Sequence, residues 1–311
     1  MPHALCPVPH APCPMPCAQA PINYLLPMTI QWYPGHIAKA EKALKEQLKL
    51  VDVVLEVRDA RIPLATHHPQ VPQWVGGKTR VLVVNRLDMI SSPARQRWEE
   101  WFRAQGETPF FTNAQNGQGV KAVAKAAGAA GVAVNRKRSE RGMLPRAVRA
   151  VVIGFPNVGK SALINRLLNR RVVESAARAG VTRQLRWVRI SEEIELLDAP
   201  GVIPVKIDSQ EDAIKLAICD DIGEASYDNY LVAAELVELL TYLEATSEGV
   251  VSLELLKSRY DLDAISMTGE EYVQGVARLK CQGDVERASR QLLTDFRKGL
   301  LGAIPLELPP V

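Results

Sequence analysis

Apolar and polar residues alternate along the chain in blocks that predict strands followed by helices. Residues 51–57 form a mainly apolar run, as expected for a strand buried in a parallel sheet, and residues 36–50 before it have helical spacing. Further apolar strands are predicted over residues 80–84, 150–153 and 194–197. Strands that alternate with helices indicate an α/β fold with a mostly parallel sheet and helices on both faces. In such a sheet, ligands bind at the carboxyl ends of the strands.

Helix start signals and a late change of pattern predict two domains. Ser92 followed by Pro93 is typical of a helix N-terminus, with a serine cap and a proline in the first turn, and this helix is expected to run toward Ala104. After residue 204 the spacing is helical, and the candidate helices are 229–243, 270–280 and 285–301. We therefore expect an α/β domain over residues 28–204 and a small all-α C-terminal domain over residues 205–311.

Residues 154–161 read G-x-x-x-x-G-K-S, the pattern of a phosphate-binding loop, between a predicted strand and a helical run. Glycines let the backbone wrap an anion, and N–H groups at the helix N-terminus point into it. Lys160 would reach the β- and γ-phosphates, and the Ser161 hydroxyl would hold Mg²⁺. The alternative is a glycine-rich turn without a ligand, which the flanking strand and helix argue against. The predicted nucleotide contacts here are Asn157, Val158, Gly159, Lys160, Ser161 and Ala162.

A second motif, Asp198-Ala199-Pro200-Gly201, follows the phosphate loop by about forty residues and closes a predicted strand. An aspartate that leaves a strand beside a phosphate loop is placed to hold Mg²⁺, and the N–H of Gly201 could meet a γ-phosphate. Between the two motifs, Thr182 offers a hydroxyl on a loop. Ser161, Thr182 and Asp198 are therefore the predicted Mg²⁺ ligands.

The predicted base-reading element lies upstream of the phosphate loop. Asn85-Arg86-Leu87-Asp88 ends an apolar strand and resembles the Asn-Lys-x-Asp signature of GTPases, with Arg86 in place of lysine. Asp88 would accept two hydrogen bonds from guanine. Adenine lacks both donors, so discrimination of about 10⁴-fold is reasonable. The planar guanidinium of Arg86 can stack on the purine. Residues 110–114 resemble the loop whose backbone contacts the guanine oxygen, with Asn113 and Ala114 as the contacts.

The order of these motifs, with the base signature first and the phosphate loop later, is the reverse of that in conventional GTPases. The chain resembles a circularly permuted P-loop GTPase. The segments Trp32-Tyr33-Pro34-Gly35-His36 and Asp59-Ala60-Arg61-Ile62-Pro63 make it similar to the ribosome biogenesis GTPase A family. The resemblance implies a GTPase domain over residues 28–204 that binds GTP and GDP and uses Mg²⁺. It also implies a nucleotide-dependent assembly factor that binds the large ribosomal subunit precursor and its rRNA.

A different class of function stays open, namely a nucleotide-gated RNA-binding scaffold whose own hydrolysis is incidental. A permuted GTPase of the small-subunit type fits poorly, because the chain has neither room for an N-terminal oligonucleotide-binding barrel nor the cysteine spacing of a zinc cluster.

Three residues bear on hydrolysis, and for His36 and Asn157 the role is the one that related GTPases imply. Val202 occupies the position where glutamine commonly orients the attacking water, and it can neither donate nor accept a hydrogen bond, so slow intrinsic turnover is expected. The resemblance marks His36 as the catalytic replacement, and a structural role at a helix N-terminus is its alternative. Asn157 is expected to accompany K⁺ at the phosphates, or else to serve as a turn residue.

Charge is unevenly distributed, which indicates where RNA would bind. Residues 1–202 contain 28 Lys or Arg against 15 Asp or Glu, a net of +13, whereas residues 203–311 contain 10 against 20, a net of −10. A basic linker is predicted before the phosphate-loop strand, and it comprises Arg136, Lys137, Arg138, Arg141, Arg146 and Arg149. We expect this linker to contact an RNA backbone, the alternative being a solvated loop. In the helical domain the best basic face is on the last helix, with Arg287, Arg290, Arg297 and Lys298.

The first 27 residues have a different composition, with eight prolines and three cysteines. Pro-rich tracts resist packing, so this segment is expected to be a disordered extension or to precede the true start at Met28. Its three cysteines and two histidines suggest a metal knot as the alternative. The remainder of the chain contains two further cysteines, Cys219 and Cys281, which is consistent with a reducing cytoplasm. No apolar run reaches the roughly 18 residues of a membrane span, and no DNA partner is expected.

Overall fold

The computed structural model describes residues 42, 44–168, 187–190, 194–198, 209–223 and 226–310. Its strands are β1 (Val53–Asp59), β2 (Thr79–Asn85), β3 (Pro109–Thr112), β4 (Val148–Ile153), β5 (Trp187–Arg189) and β6 (Ile194–Asp198). They form one sheet in the order β3-β2-β1-β4-β6-β5. Strands β1, β2, β3, β4 and β6 are parallel to one another, and β5 pairs antiparallel with β6 at the edge. The predicted mostly parallel sheet is confirmed.

Helices cover both faces of this sheet. The first helices are α1 (Val71–Val75), α2 (Ser92–Ala104), α3 (Val120–Ser139) and α4 (Lys160–Leu167). On one face Leu55 and its neighbours share a core with side chains of α3 and α4. On the other face Val54 packs with α1 and with Leu44, which belongs to a helical stretch before β1. Alternate β1 residues are therefore buried on opposite faces, which explains why the strand reads as a mainly apolar run.

The start of α2 differs by one residue from the prediction. The serine that caps the helix is Ser91, whose side chain accepts a hydrogen bond from Ala94 N, and Ser92 is the first helical residue. Two adjacent serines make the cap ambiguous in sequence. Because proline is favoured at either of the first helical positions, Pro93 fits both assignments.

Beyond residue 208 the described chain is helical. Its helices are α5 (Gln210–Ile218), α6 (Asn229–Thr246), α7 (Glu254–Tyr260), α8 (Gly269–Lys280) and α9 (Val285–Arg297). The predicted all-α region is present, although α5 and α7 had no individual prediction. The last helix ends at Arg297 and not at residue 301, because Gly299 adopts a left-handed φ of 72° that terminates it. The predicted domain boundary at residue 204 lies outside the described residues.

The C-terminal tail packs back against the loop after β1. Leu306 N and Glu307 N donate to the carbonyl of Arg61 at 2.9 and 3.1 Å. The Glu307 side chain in turn accepts hydrogen bonds from Leu64 N and Ala65 N at 2.8 and 3.1 Å. The helical region is therefore joined by hydrogen bonds to the carboxyl end of β1, the edge where a ligand is expected.

Four of the six residues of the predicted basic linker do not lie in a loop. Residues 136–138 form the last turn of α3, and Arg149 lies in β4. Arg146 makes a two-pronged ion pair with Asp52 at 2.8 and 3.0 Å. Within the predicted linker, the exposed basic surface therefore lies at the end of α3 and on the residues just after it.

None of the helices in the described ranges combines the length and the apolarity that crossing a bilayer would require.

Candidate nucleotide-binding site

A cleft of about 480 Å³ opens at the carboxyl ends of β2, β3 and β4. This volume is within the range of sites for small molecules and cofactors. Three predicted segments meet in it: the base signature (residues 85–88), the predicted guanine loop (residues 110–114) and the phosphate loop (residues 154–161). The predicted site residues that line it are Asn85, Arg86, Asp88, Asn113, Ala114, Asn157, Gly159, Lys160, Ser161 and Ala162. Leu87 and Val158 support the same loops without lining the cleft.

The phosphate loop has the shape that its sequence predicts. It runs from the end of β4 to the start of α4, and Gly154 and Gly159 have φ of 148° and 98°. A Cβ on Gly154 would lie 2.3 Å from the carbonyl oxygen of Val57, so this residue must be glycine. The Lys160 ammonium donates to the carbonyls of Gly154 and Phe155 at 3.2 and 2.6 Å, which places the cation inside the curve of the loop. An anion held by the loop would thus meet a lysine and a helix N-terminus together.

Asn85 connects the three segments. Its Oδ1 accepts hydrogen bonds from the Thr112 hydroxyl and from Ala114 N at 3.0 and 3.1 Å, and its Nδ2 donates to Val158 O at 3.0 Å. Asn85 is 3% exposed. In this structure it therefore fixes the loops relative to one another, and because the N–H of Ala114 is engaged with Asn85, a direct contact of Ala114 with guanine stays a prediction.

The guanine loop is shaped by its own side chains and by α4. Residues 110–112 belong to strand β3, so the loop begins at Asn113 and not at residue 110. Asn113 Oδ1 accepts from Gln115 N at 2.9 Å, which folds the turn. Arg166 of α4 donates to the carbonyls of Ala114 and Gln115. Arg166 had no predicted role, and in sequence it reads as a polar position of an amphipathic helix.

Arg86 replaces the usual lysine and makes two contacts at once. It has a left-handed φ of 66°, its Nη2 donates to Asn157 O at 2.7 Å, and its Nε lies 3.2 Å from Asp59 Oδ2. A lysine carries all its donors on one nitrogen, whereas arginine reaches the two partners with separate nitrogens of a planar group. The guanidinium therefore links the base signature to the phosphate loop, and its expected stacking on the purine stays a prediction. Asp88 follows in a short 3-10 turn (Leu87–Met89) with its side chain exposed to the cleft.

Behind Arg86 lies a fully buried ion pair. Arg61 donates to both carboxylate oxygens of Asp59, from Nε at 3.0 Å and from Nη2 at 2.8 Å, and both side chains are 0% exposed. Burial alone would raise the pKa of Asp59, but Arg61 and Arg86 hold it below its ordinary value. Asp221 is also buried beside this pair, and burial together with the Asp59 carboxylate raises the pKa of Asp221 well above its ordinary value. Protonation of Asp221 is thereby favoured, which limits the charge that is buried here.

The helical region also reaches the cleft, which sequence reasoning missed. Asp220, Arg297 and Lys298 line it together with the predicted loops. The Asn157 side chain donates from Nδ2 to Asp220 O at 2.5 Å, across 63 residues of sequence. A contact of such long range leaves no local sequence signal.

The predicted metal ligands are only partly described. Ser161 lies at the first turn of α4 and lines the cleft. The backbone of Asp198 pairs with Val152 of the phosphate-loop strand, which brings the end of β6 to the edge where the loop begins. Coordination of Mg²⁺ by Ser161 and Asp198 stays a prediction. The Asp198 side chain, Thr182, Gly201 and His36 lie outside the described residues, as do Cys6, Cys13 and Cys17.

These features define the class of protein. A phosphate loop on β4, a base signature on β2 and a shared cleft, in this order along the chain, are those of a circularly permuted GTPase. A family model described as a 50S ribosome-binding GTPase matches residues 149–249, which begin at the phosphate-loop strand.

Comparison with known proteins gives the family. The chain is 35% identical to Ribosome biogenesis GTPase A of Bacillus cereus, over 91% of this chain and 95% of that protein. It is 31% identical to Mitochondrial ribosome-associated GTPase 1 of Mus musculus, over 89% of this chain and 90% of that protein. The chain belongs to the ribosome biogenesis GTPase A family, and it is a GTP-hydrolysing enzyme.

Solved structures agree with the fold. A structure of YlqF bound to GDP has a TM-score of 0.62 at 24% identity and covers 86% of this chain and 99% of that one. A structure of GNP-bound YlqF from T. maritima has a TM-score of 0.59 at 25% identity and covers 87% and 98% of the two chains.

Proposed function

We propose that this GTPase is a nucleotide-dependent assembly factor for the large ribosomal subunit. The observation that carries the proposal is the cleft, in which a complete phosphate loop and a guanine-reading segment are joined by Asn85. The names of the bacterial and mouse relatives, which refer to ribosome biogenesis and ribosome association, supply the partner. The nucleotide contacts proposed are the sequence-predicted residues that line the cleft. Leu87, Val158, Thr182 and Gly201 complete the proposed set.

Mg²⁺ is the cofactor of GTPases, and in this chain Ser161, Thr182 and Asp198 are the proposed ligands. The ion would neutralise charge that develops on the transferred phosphoryl group. We also propose that Asn157 supports a K⁺ site beside the phosphates. Its backbone has φ of 57°, and its side chain is held against the helical region through Asp220, so it is positioned more firmly than an ordinary turn residue. Equal turnover in potassium and sodium buffers would refute the K⁺ site.

Catalysis is proposed to depend on the ribosomal particle and on His36. Val202 cannot orient water, so turnover alone should be slow, on the order of 10⁻⁴ s⁻¹. Purified large subunits should raise it. His36→Ala is expected to leave GTP affinity intact and to abolish the stimulated rate, and unchanged stimulation would remove His36 from the mechanism.

For rRNA, the end of α3 is the proposed contact surface. Arg136, Lys137 and Arg141 are exposed, and beside them Leu144 is 83% exposed. The last helix is a poorer candidate than its sequence predicts. Arg297 points inward and donates to Ile218 O, and Lys298 lines the cleft.

Sedimentation with large-subunit precursors in the presence of a non-hydrolysable GTP analogue tests the function and the surface together. Changing Arg136, Lys137 and Arg141 to Gln should weaken co-sedimentation and reduce the salt slope of binding by about 2, since each lost phosphate contact contributes about 0.7–0.9. The matched control changes Arg95, Arg97 and Arg103 of α2 to Gln, which removes the same number of positive charges from partly exposed or exposed side chains. Equal weakening by both triple variants would refute the surface.

The scaffold alternative makes a different prediction. If hydrolysis were incidental, particles would bind the protein in a nucleotide-dependent way and leave its turnover unchanged. Measuring GTP turnover with and without large subunits therefore separates the two functions.

A further inference from the structure

The helical region forms one wall of the nucleotide cleft. Asp220 follows α5, and Arg297 and Lys298 end α9, yet all three line the cleft with residues of the phosphate loop and the base signature. A nucleotide held there would lie between the two parts of the chain.

Hydrogen bonds hold this wall in place. Arg297 donates from Nε to Ile218 O and from Nη2 to Ala217 O, both at 2.9 Å, so the end of α9 is tied to the end of α5. The end of α5 is in turn tied to the phosphate loop, because Asp220 O accepts from Asn157 Nδ2. The end of α9 is therefore positioned relative to the cleft by polar contacts as well as by apolar packing.

The position of Lys298 along the cleft follows from its neighbour. Gly299 has φ of 72°, and a Cβ built on it would lie 3.2 Å from the sulfur of Met89, the residue after Asp88. Lys298 therefore enters the cleft at its base-reading end, whereas Lys160 sits in the phosphate loop. The Lys298 side chain is exposed, and its ammonium can turn toward a ligand without leaving a buried partner.

We propose that Lys298 is a nucleotide-binding residue supplied by the helical region, whose ammonium donates a hydrogen bond to the nucleoside part of the bound guanine nucleotide. This inference rests on the nucleotide site proposed above and adds a specific contact to it. Oxygen acceptors on the ribose and on the base are the chemistry that an ammonium at this end would meet. Because GDP and GTP share the nucleoside, the contact should stabilise both equally.

Titration calorimetry of the full chain with GDP and with a non-hydrolysable GTP analogue tests the proposal. Lys298→Met keeps the length of the side chain and removes the donor, and it should weaken both ligands about tenfold, the effect of losing one hydrogen bond from a charged group. Lys298→Arg, which retains a donor, should restore affinity to within about threefold. Lys280→Met is the matched control, since Lys280 also lies exposed at a helix end but does not line the cleft.

The outcomes are distinguishable. Wild-type protein that fails to bind GDP would refute the proposed nucleotide site itself. If Lys298→Met binds GDP as tightly as the wild type does, the Lys298 contact is overturned and the nucleotide site itself stands. A loss confined to the GTP analogue would place the ammonium at the γ-phosphate and would overturn the nucleoside contact as well. Unchanged circular dichroism of the variant would confirm that it folds.

Discussion

Replacing Arg61 with methionine should test how the two parts of the chain are held together. Arg61 is fully buried, it pairs with Asp59 through two hydrogen bonds, and its guanidinium lies 5.6 Å from the ring centroid of Phe296 in α9. Its Nη2 also reaches Cys219 O at 3.4 Å. Methionine keeps the apolar stem and the backbone carbonyl that accepts from the C-terminal tail, so the substitution removes mainly the charge.

The loss should be about 3 kcal/mol in the free energy of unfolding. Removing one partner of a buried ion pair typically costs about 3–5 kcal/mol, because the other charge stays buried and uncompensated. The lower end applies here, since Arg86 Nε remains 3.2 Å from the same Asp59 carboxylate. At about 2 °C per kcal/mol for a chain of this size, the melting temperature should fall by about 6 °C.

Thermal and urea unfolding followed by far-UV circular dichroism would measure the change. Arg103→Met is the matched control, because Arg103 also pairs with a carboxylate but its side chain is 66% exposed. The melting temperature of this variant should barely differ from that of the wild type. The double variant Asp59→Leu/Arg61→Met removes both charges and should be more stable than Arg61→Met alone. A loss below about 1 kcal/mol in Arg61→Met would show that Asp59 carries no uncompensated charge.

Three further substitutions test the site and the tail. Gly159→Ala should abolish GDP binding measured by equilibrium dialysis, because at φ of 98° its Cβ would lie 2.2 Å from the Asn85 amide, while Gly106→Ala, also at positive φ but in open space, should bind normally. Asp88→Asn should shift preference from guanine to xanthine nucleotides in competition assays, and ATP binding by the wild type would contradict the assignment. Burial raises the pKa of Glu307 from about 4.5 to about 7, so the unfolded chain releases this proton first and stability should fall as pH rises between those values. Glu307→Gln should remove the contribution of this residue to the fall of melting temperature with pH. An unchanged slope would contradict the assignment of that fall to Glu307.

Local spacing was enough to predict the sheet and the phosphate loop. The apolar run at β4, the glycine spacing and the start of α4 are contiguous, so each residue constrains its neighbours. The meeting of Asp88 and Lys160 in one cleft follows from the sheet. Each residue comes after a parallel strand, and the carboxyl ends of parallel strands meet at one edge.

Contacts between distant segments could not be predicted in this way. Arg297 reads as part of a basic helix face, yet the fold turns it toward the carbonyls of α5, some 80 residues earlier. The contact of Asp220 with Asn157 uses a backbone carbonyl, which every residue possesses, so no residue type marks it. Asp59 and Arg61 did carry a signal as a family motif, but their burial behind Arg86 depends on how the helical region packs.

The permuted order explains why the helical region lines the nucleotide cleft. Strand β6 runs beside the phosphate-loop strand β4. The next element that the structure describes after β6 is α5, and Asp220 just beyond its end contacts Asn157. The helical region thus contacts the phosphate loop through the residue that follows α5 closely, Asp220. A cleft wall supplied in this way links the packing of the helical region against the α/β region to the binding of the nucleotide. Any change in this packing that moves Lys298 must change nucleotide affinity, and nucleotide binding must favour the packing by the same factor. A coupling of about 1–3 kcal/mol, typical of such linked sites, corresponds to about 5- to 150-fold in affinity. A ribosomal particle that pulled α9 away from Met89 would therefore promote nucleotide release, and one that pressed it closer would retain GTP.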